Sequence, residues 1–425
     1  MWRIIVLCTI INLTVAARST YENYKVFKII PLRLNQFNLL RNMKGHGYLF
    51  WEEPTTIRRP VKLMVAPHQL PEFYRLLYKE EYLSYELLID NVQELIDRTT
   101  QSIDSGNATY NLNIFPFTKY PTLKDIYNYL YYISLNYIDN VKIIVIGNTY
   151  EGNKILGVEI SFNNKRKNPG IFLEGGIHGN EWISPATVIY ILHQLLTSTD
   201  PNVRAMAESH DWYIVPLVNP DGYKYSHTTD RLWRKSRGQY DKFCLGADLN
   251  RNWDYMWGLD SDRSDMCSNK YAGLTPFSEL ETRVLKKYID RVSNKFDTYI
   301  SFHGSSQLLL FPYGYTTAHI NNYNEMYTIG QIAIAALKRR YGTEYLIGNT
   351  AERTHIASGS TTDYIRGTYR KPYVYSYGLR GKDNYDFLLP PDQIIPTGQE
   401  TLDSIMSMLR EIKRRKYLKQ QATKW

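Results

Sequence analysis

Three residues of the chain have side chains and a spacing that could bind one metal ion. His178 and Glu181 stand three positions apart in His178-Gly179-Asn180-Glu181, after an apolar segment, and His303 directly follows another apolar segment. Either motif alone would also suit an ordinary turn or strand end. Together they form the ligand set of several catalytic zinc sites, two imidazoles and one carboxylate, in which water takes the fourth position. The pattern predicts one zinc ion that lowers the pKa of this water and polarises a carbonyl group.

Two arginine segments could complete such a site. Arg234 lies in Arg231-Leu232-Trp233-Arg234-Lys235, and Arg251 lies in Asn250-Arg251-Asn252-Trp253. A guanidinium group binds a carboxylate through two parallel hydrogen bonds and can stabilise an oxyanion. Solvated charges beside buried tryptophans would explain the same segments. Asp248 is a candidate hydrogen-bond partner that orients His178.

The segments that must position these residues alternate between strand and helix from about residue 122. Strands are predicted from β-branched and aromatic runs at residues 141–146, 171–175, 212–217, 297–302 and 373–379. Helices are predicted from apolar spacing at residues 123–137, 185–196, 279–292, 326–341 and 397–414. This order predicts an α/β fold with a mixed, mostly parallel sheet sandwiched by helices. Ligands of such sheets bind at the strand ends, where the candidate residues lie.

The first hundred residues predict a smaller α+β unit. Strands are expected at residues 25–32, 61–66 and 85–90, and helices at 34–43, 70–82 and 92–98. Polar residues 99–111 then predict an exposed linker that proteases can reach. Arg98 at its border is the preferred cleavage position.

The N-terminal segment and the cysteines predict an exported protein. Arg3 followed by an apolar run to Val15 and by Ala16-Ala17 indicates a signal peptide at residues 1–17. Cys8 would leave with it, so that Cys244 and Cys267 remain and are predicted to form one disulfide. The net charge of +9 is spread along 425 residues. We therefore expect neither a nucleic-acid partner nor a membrane partner.

Several further segments occur in the same order as in one known family. They include Val218-Asn219-Pro220-Asp221-Gly222, Ser306-Gln307-Leu308-Leu309-Leu310, Phe387-Leu388-Leu389-Pro390 and Gln393-Ile394-Ile395-Pro396-Thr397. With the zinc and arginine segments, the chain resembles secreted zinc carboxypeptidases of the A/B type in their precursor form. The resemblance implies a propeptide at residues 18–98, a linker at 99–118 and a zinc carboxypeptidase-like domain at 119–425.

The resemblance also implies a role for each matching residue. His178, Glu181 and His303 would bind zinc, and Arg234 would polarise the scissile carbonyl. Asn250 and Arg251 would bind the C-terminal carboxylate of a peptide. The disulfide between Cys244 and Cys267 has a counterpart in the pancreatic-type enzymes. The propeptide would cover the cleft until an endopeptidase cuts near Arg98.

The sequence departs from the family pattern at three positions. Gly378 stands where the family has its general-base glutamate, in Tyr377-Gly378-Leu379-Arg380. His355 is the best match to the substrate-binding tyrosine, although a one-residue insertion follows it. Asn180 replaces the arginine expected before the zinc glutamate. A positioned general base typically contributes about 10²–10⁴-fold to the rate, so catalysis is expected to be impaired.

Three hypotheses follow. The chain is a carboxypeptidase that removes neutral C-terminal residues with weakened proton transfer, for which His355 could substitute. Alternatively, it is a non-catalytic relative that binds zinc and peptide C-termini. This alternative is favoured because the zinc ligands and the residues that would bind the terminal carboxylate are retained, whereas the general base is absent. A structural or storage protein would have no need of these retained residues. Thr361 and Thr362, on the helix expected to line the side-chain pocket, are uncharged and argue against a basic C-terminal residue.

Overall fold

The computed structural model describes residues 18–43, 45–80, 82–100, 115–162, 168–259, 265–382 and 385–422. The predicted signal peptide at residues 1–17 and most of the predicted linker lie outside these ranges. Within the described ranges, no helix combines the length and the apolar character needed to cross a bilayer.

The N-terminal unit is a small sheet covered by helices. Its strands are β1 (Lys25–Ile30), β2 (Tyr48–Glu52), β3 (Val61–Val65) and β4 (Ser84–Ile89), and its helices are α1 (Leu34–Asn42), α2 (Leu70–Lys79) and α3 (Val92–Thr100). The strands pair antiparallel in the order β2-β3-β1-β4. Alternate residues of β1, such as Phe27 and Ile29, pack with Leu63 and Phe73 in the core of this unit.

The second unit contains eight strands and nine helices of the described chain. The strands are β5 (Val141–Asn148), β6 (Lys154–Ile160), β7 (Gly170–Glu174), β8 (Asp211–Val215), β9 (Phe296–His303), β10 (Leu308–Phe311), β11 (Leu346–Asn349) and β12 (Tyr373–Gly378). The helices are α4 (Leu123–Asn136), α5 (Ile183–Thr197), α6 (Pro201–Glu208), α7 (Pro220–Thr228), α8 (Leu280–Val292), α9 (Tyr323–Tyr341), α10 (Thr350–Arg353), α11 (Thr361–Gly367) and α12 (Ile394–Ala422).

The eight strands form one mixed sheet in the order β11-β10-β12-β9-β7-β8-β6-β5. Its centre is parallel, because β12 pairs with β9, β9 with β7 and β7 with β8 in the same direction. Helices cover both faces, so every residue of β7 and β12 is buried. The carboxyl ends of β7, β9 and β12 consequently meet at one edge of the sheet.

The predicted fold class is confirmed, and the differences lie at borders, in weakly patterned strands and in the short helices α6, α7 and α10, which were not predicted. The helix predicted at residues 70–82 ends at Lys79, and the helix predicted at 397–414 extends from Ile394 to Ala422. The placement of Thr99 in an exposed linker was wrong, because Thr99 belongs to α3 and is 2% exposed against Arg231. Four strands were not predicted, namely β2, β6, β10 and β11.

The disulfide predicted between Cys244 and Cys267 is present, with the two Cα atoms 4.7 Å apart. It closes the segment that carries Asp248, Asn250 and Arg251. Asp248 caps a short 3₁₀ helix at Leu249–Arg251 by accepting a hydrogen bond from the amide of Asn250.

Candidate active site

The segment with His178 and Glu181 connects β7 to α5 in a tight turn. Gly176 has a φ of +63° there, and a Cβ at this position would lie 2.5 Å from the side chain of Leu217. Glycine is therefore required for this path of the backbone. His303, the last residue of β9, lies on the strand next to β7. The parallel pairing of β7 with β9 thus brings together two motifs more than 120 residues apart in sequence.

His178, Glu181 and His303 converge on one point. Nδ1 of His178 lies 2.9 Å from Oε1 of Glu181, and Nδ1 of His303 lies 3.1 Å from Oε2. The two Nδ1 atoms are 3.3 Å apart. Potential ligand atoms of all three residues lie within 4.8 Å of one another. Two imidazole nitrogens and a carboxylate directed at one point match the donor set that zinc prefers.

Asp248 fixes the orientation of His178. Its Oδ1 lies 3.0 Å from Nε2 of His178, and its Oδ2 accepts a hydrogen bond from Arg234 at 3.0 Å. An Nε2–H that donates to Asp248 leaves the lone pair of Nδ1 directed at the metal position. The Asp248 side chain is fully buried, so this interaction is shielded from water.

The charges at this cluster suit a cation. Burial alone would raise the pKa of Glu181, but His178 and His303 outweigh burial and hold it below its ordinary value. Burial likewise opposes ionisation of Asp248, and Arg234 and His178 hold its pKa well below the usual range. Burial lowers the pKa of His303. The carboxylates are therefore ionised and the His303 ring is neutral at pH 7. Burial and Arg234 oppose protonation of His178, but Glu181 and Asp248 outweigh them and raise its pKa, so a metal ion bound there would displace a proton.

The residues assigned to peptide binding border the same cluster. Nη1 of Arg234 lies 3.5 Å from Glu181, and Nδ2 of Asn250 lies 3.5 Å from Nε2 of His303. Arg251 donates from Nη2 to Nε2 of His355 at 3.3 Å. The structure therefore brings these predicted residues together around one opening, while their roles in binding remain a prediction.

Asn180 and the pocket helix complete the surroundings. Asn180 is 4% exposed, and its Oδ1 atom has no hydrogen-bond partner in the described structure. Thr361 and Thr362 begin α11, and the amide of Thr361 donates to Oδ1 of Asn250. Asp363 accepts hydrogen bonds from the amides of Gly314 and Tyr315. Asp363 therefore fixes the backbone at Gly314 and Tyr315 and is not part of the cleft lining in the described structure.

Gly378 ends β12 beside the zinc ligands. It is paired with His303 of β9 on one side and with Leu308 of β10 on the other. A Cβ at this position would lie 2.6 Å from the carbonyl oxygen of Ser305 and 2.1 Å from Oγ of Ser306. Ser305 and Ser306 have φ values of +57° and +85°. The backbone after β9 therefore occupies the space that a side chain at position 378 would need.

The N-terminal unit, predicted to be a propeptide, lies against this site. A cavity of about 510 Å³, here called the substrate cleft, lies between the two units. Its walls include Trp51, Glu53 and Arg59 of the propeptide and Arg234 and Arg251 of the larger unit. Arg59 donates to the carbonyl oxygens of Glu352 and Thr354, immediately before His355.

Two ion pairs of the cleft were missed from the sequence. Lys62 of β3 contacts Asp386, and Glu53 contacts Lys270. The sequence contains a weak indication of two of these residues, because each lies next to a segment already singled out. Asp386 precedes Phe387-Leu388-Leu389-Pro390, and Lys270 follows Cys267 by three residues. The pairing itself has no sequence signal, since each pair joins residues more than 200 positions apart.

Family models match both units. A model described as zinc carboxypeptidase matches residues 126–404, and one described as carboxypeptidase activation peptide matches residues 27–99. The chain belongs to the zinc carboxypeptidase family, which uses one catalytic zinc ion. His178, Glu181 and His303 are the residues that fit this ion.

Individual relatives extend the similarity to almost the whole chain. Zinc carboxypeptidase A 1 of Anopheles gambiae is 39% identical over 416 residues, which cover 97% of this chain and 95% of the relative. A zinc carboxypeptidase of Simulium vittatum is 43% identical over 70% of this chain and 98% of its own. Among solved structures, carboxypeptidase A from Helicoverpa armigera is 26% identical with a TM-score of 0.81, covering 92% of this chain and 98% of that chain. Thrombin activatable fibrinolysis inhibitor is 27% identical with a TM-score of 0.84, covering 91% and 98% respectively.

Proposed function

We propose that the chain is the precursor of an exported zinc protein that binds the C-terminal ends of peptides and hydrolyses them slowly or not at all. In this proposal residues 1–17 direct export, and cleavage near Arg98 releases the propeptide. Arg98 lies exposed in the last turn of α3, which supports access by an endopeptidase.

The observation that carries the proposal is the packing around Gly378. The zinc ligands, Arg234 and the Asn250-Arg251 pair are all retained, whereas position 378 has no side chain and no space for one. Zinc would lower the pKa of a bound water and polarise the substrate carbonyl. Arg251 would bind the terminal carboxylate and Arg234 would donate to the carbonyl oxygen as negative charge develops there. No side chain at position 378 would carry the proton from the water to the leaving amine.

Other carboxylates of the described cleft are poor substitutes for this base. Glu52 and Glu53 line the cleft but leave with the propeptide. Asp386, whose partner Lys62 leaves as well, lines the cleft from the larger unit without contacting the zinc ligands in the described structure. Glu181 and Asp248 are engaged by His178, His303 and Arg234. The proposal therefore favours binding over turnover.

His355 is also a weak candidate for proton transfer. Burial, together with the charges of Lys270 and Arg251, lowers its pKa to about 3. A base this weak accepts little of the proton of a zinc-bound water whose pKa is near 7. Its Nε2 atom also accepts the hydrogen bond from Arg251.

The deciding experiment compares hydrolysis of blocked C-terminal dipeptides by the processed, zinc-loaded protein and by Gly378→Glu. Gly378→Ala is the matched control, because it introduces the same contact with Ser305 without a carboxylate. We expect the natural protein and Gly378→Ala to be inactive or slow, and Gly378→Glu to exceed Gly378→Ala by about 10²-fold or more if the loop yields. Fast turnover by the natural protein would overturn the proposal. Peptide binding, measured separately by calorimetry, must survive in the natural protein.

A further inference from the structure

Lys270 lies in the substrate cleft, and in the described structure it forms an ion pair with Glu53 of the propeptide. Its Nζ atom is 3.0 Å from Oε2 of Glu53, and the two side chains are 30% and 32% exposed. Glu53 follows β2 directly, so removal of the propeptide takes this carboxylate away. The ammonium group of Lys270 would then face the open cleft.

Lys270 lies within the electrostatic range of the residues assigned to peptide binding. Burial lowers its pKa, Glu53 raises it, and the nearby charges of Arg251 and Arg234 lower it. Among the charges near His355, that of Lys270 lowers the pKa of His355 the most. Lys270 is therefore a third cation beside Arg234 and Arg251, on the same side of the cleft.

The wall that remains after processing is strongly cationic. Of the described residues that line the cleft from the larger unit, the cations are Arg234, Arg251, Lys270, Arg353 and Lys382, and the carboxylate is Asp386. A single terminal carboxylate would occupy Arg251 and Asn250. The uncharged Thr361 and Thr362 would supply no cation for a second carboxylate, whereas Lys270 would.

We propose that Lys270 binds an acidic side chain in the last two residues of the peptide, and that Glu53 occupies this position in the precursor. This inference rests on the proposed function, because it concerns the same cleft. Glu53 shows the geometry of the interaction, since a glutamate carboxylate already contacts Lys270 within hydrogen-bond distance. An ion pair at this degree of exposure contributes modestly to affinity but discriminates between otherwise equal peptides.

The test uses four blocked dipeptides and the processed, zinc-loaded protein. Two end in Glu or Gln after Phe, and two end in Phe after Glu or Gln, so that each pair differs only in charge. Dissociation constants are measured by calorimetry for the natural protein, for Lys270→Met and for Lys142→Met, an exposed lysine of β5.

We expect the Glu peptide of at least one pair to bind the natural protein about 3–10-fold more tightly than its Gln partner. Lys270→Met should abolish this preference and leave the Gln peptides unchanged, and Lys142→Met should retain it. If the natural protein binds the Glu and Gln peptides equally tightly, the inference is overturned, and this measurement needs no variant. So would a preference that persists in Lys270→Met. If none of the four peptides binds, the proposed function itself fails.

Discussion

The ammonium group of Lys62 lies 3.0 Å from each of the two carboxylate oxygens of Asp386. Lys62 belongs to the propeptide strand β3, and both side chains are 8% exposed. This ion pair is therefore enclosed at the contact between the two units. Removing one partner leaves the other charge poorly solvated, which makes such a pair sensitive to mutation.

Lys62→Met is expected to weaken retention of the cleaved propeptide by about 2–4 kcal/mol, because Asp386 would remain buried without its cation. After cleavage in the linker, size-exclusion chromatography measures the fraction of propeptide that stays bound. Lys25→Met is the control, since Lys25 pairs with Asp90 inside the propeptide. Retention equal to that of the natural protein would show that the pair does not hold the two units together.

Replacing any of the three converging ligands should lower the amount of zinc that the protein binds. Glu181→Gln and His303→Ala are expected to lower bound zinc from about one ion per chain to a small fraction. Asp248→Asn removes the anion that orients His178 and should weaken zinc binding about 10–100-fold. Atomic absorption after dialysis against graded chelator measures all three. The exposed Asp290→Asn should retain zinc, and full zinc content in His303→Ala would contradict the assignment.

Arg251→Met should weaken binding of a peptide with a free C-terminus about 10–100-fold, because it removes charge-assisted hydrogen bonds to the terminal carboxylate. The same peptide with an amidated C-terminus should bind the natural protein and the variant equally weakly. Calorimetry on the processed protein provides the affinities, with the exposed Arg283→Met as control. A loss of the same size for the amidated peptide would indicate a role unrelated to the carboxylate.

His227 should make the precursor sensitive to acid. Burial, with the charges of Arg231 and Arg18, lowers its pKa to about 3, and its ring is stacked on Trp182 at 3.8 Å. Its pKa in the unfolded chain is about 6.5. The unfolded state therefore binds the proton first, and stability falls as pH decreases below about 6.5 and continues to fall towards 3.

His227→Phe keeps an aromatic ring on Trp182 and removes the titration. Between pH 7 and pH 5, the variant should lose about 1–2 kcal/mol less free energy of unfolding than the natural chain. Urea unfolding at the two pH values measures this difference, and His68→Phe, at an exposed site, is the control. Identical pH dependence in His227→Phe and the natural chain would show that other groups are responsible.

The zinc ligands could be predicted from the sequence because each lies at or shortly after the carboxyl end of a buried parallel strand. Such strands are continuous apolar runs, as in Ile171-Phe172-Leu173, and their ends point to the same edge. Strand β6 was missed because Gly157 interrupts its apolar run. Strands β10 and β11 have four residues each, which is too few to show the alternation of apolar and polar residues that predicts a strand.

The contacts of the cleft could not be predicted in the same way. Lys62 with Asp386 and Glu53 with Lys270 depend on how two separately folded units meet, and no local pattern encodes this. The glycine at position 378 was visible in the sequence, but the backbone of Ser305 that fills the adjacent space was not. Only the three-dimensional arrangement shows that the two positions are coupled.

This coupling has an evolutionary consequence. A glutamate codon at position 378 would introduce a Cβ only 2.6 Å from the Ser305 carbonyl oxygen, so the backbone after β9 would have to change as well. A glutamate introduced at position 378 by a single substitution would therefore strain the backbone at Ser305 and the side chain of Ser306. Among descendants of this gene, residues 305, 306 and 378 should vary together, and the glycine should persist wherever Ser305 keeps its present conformation.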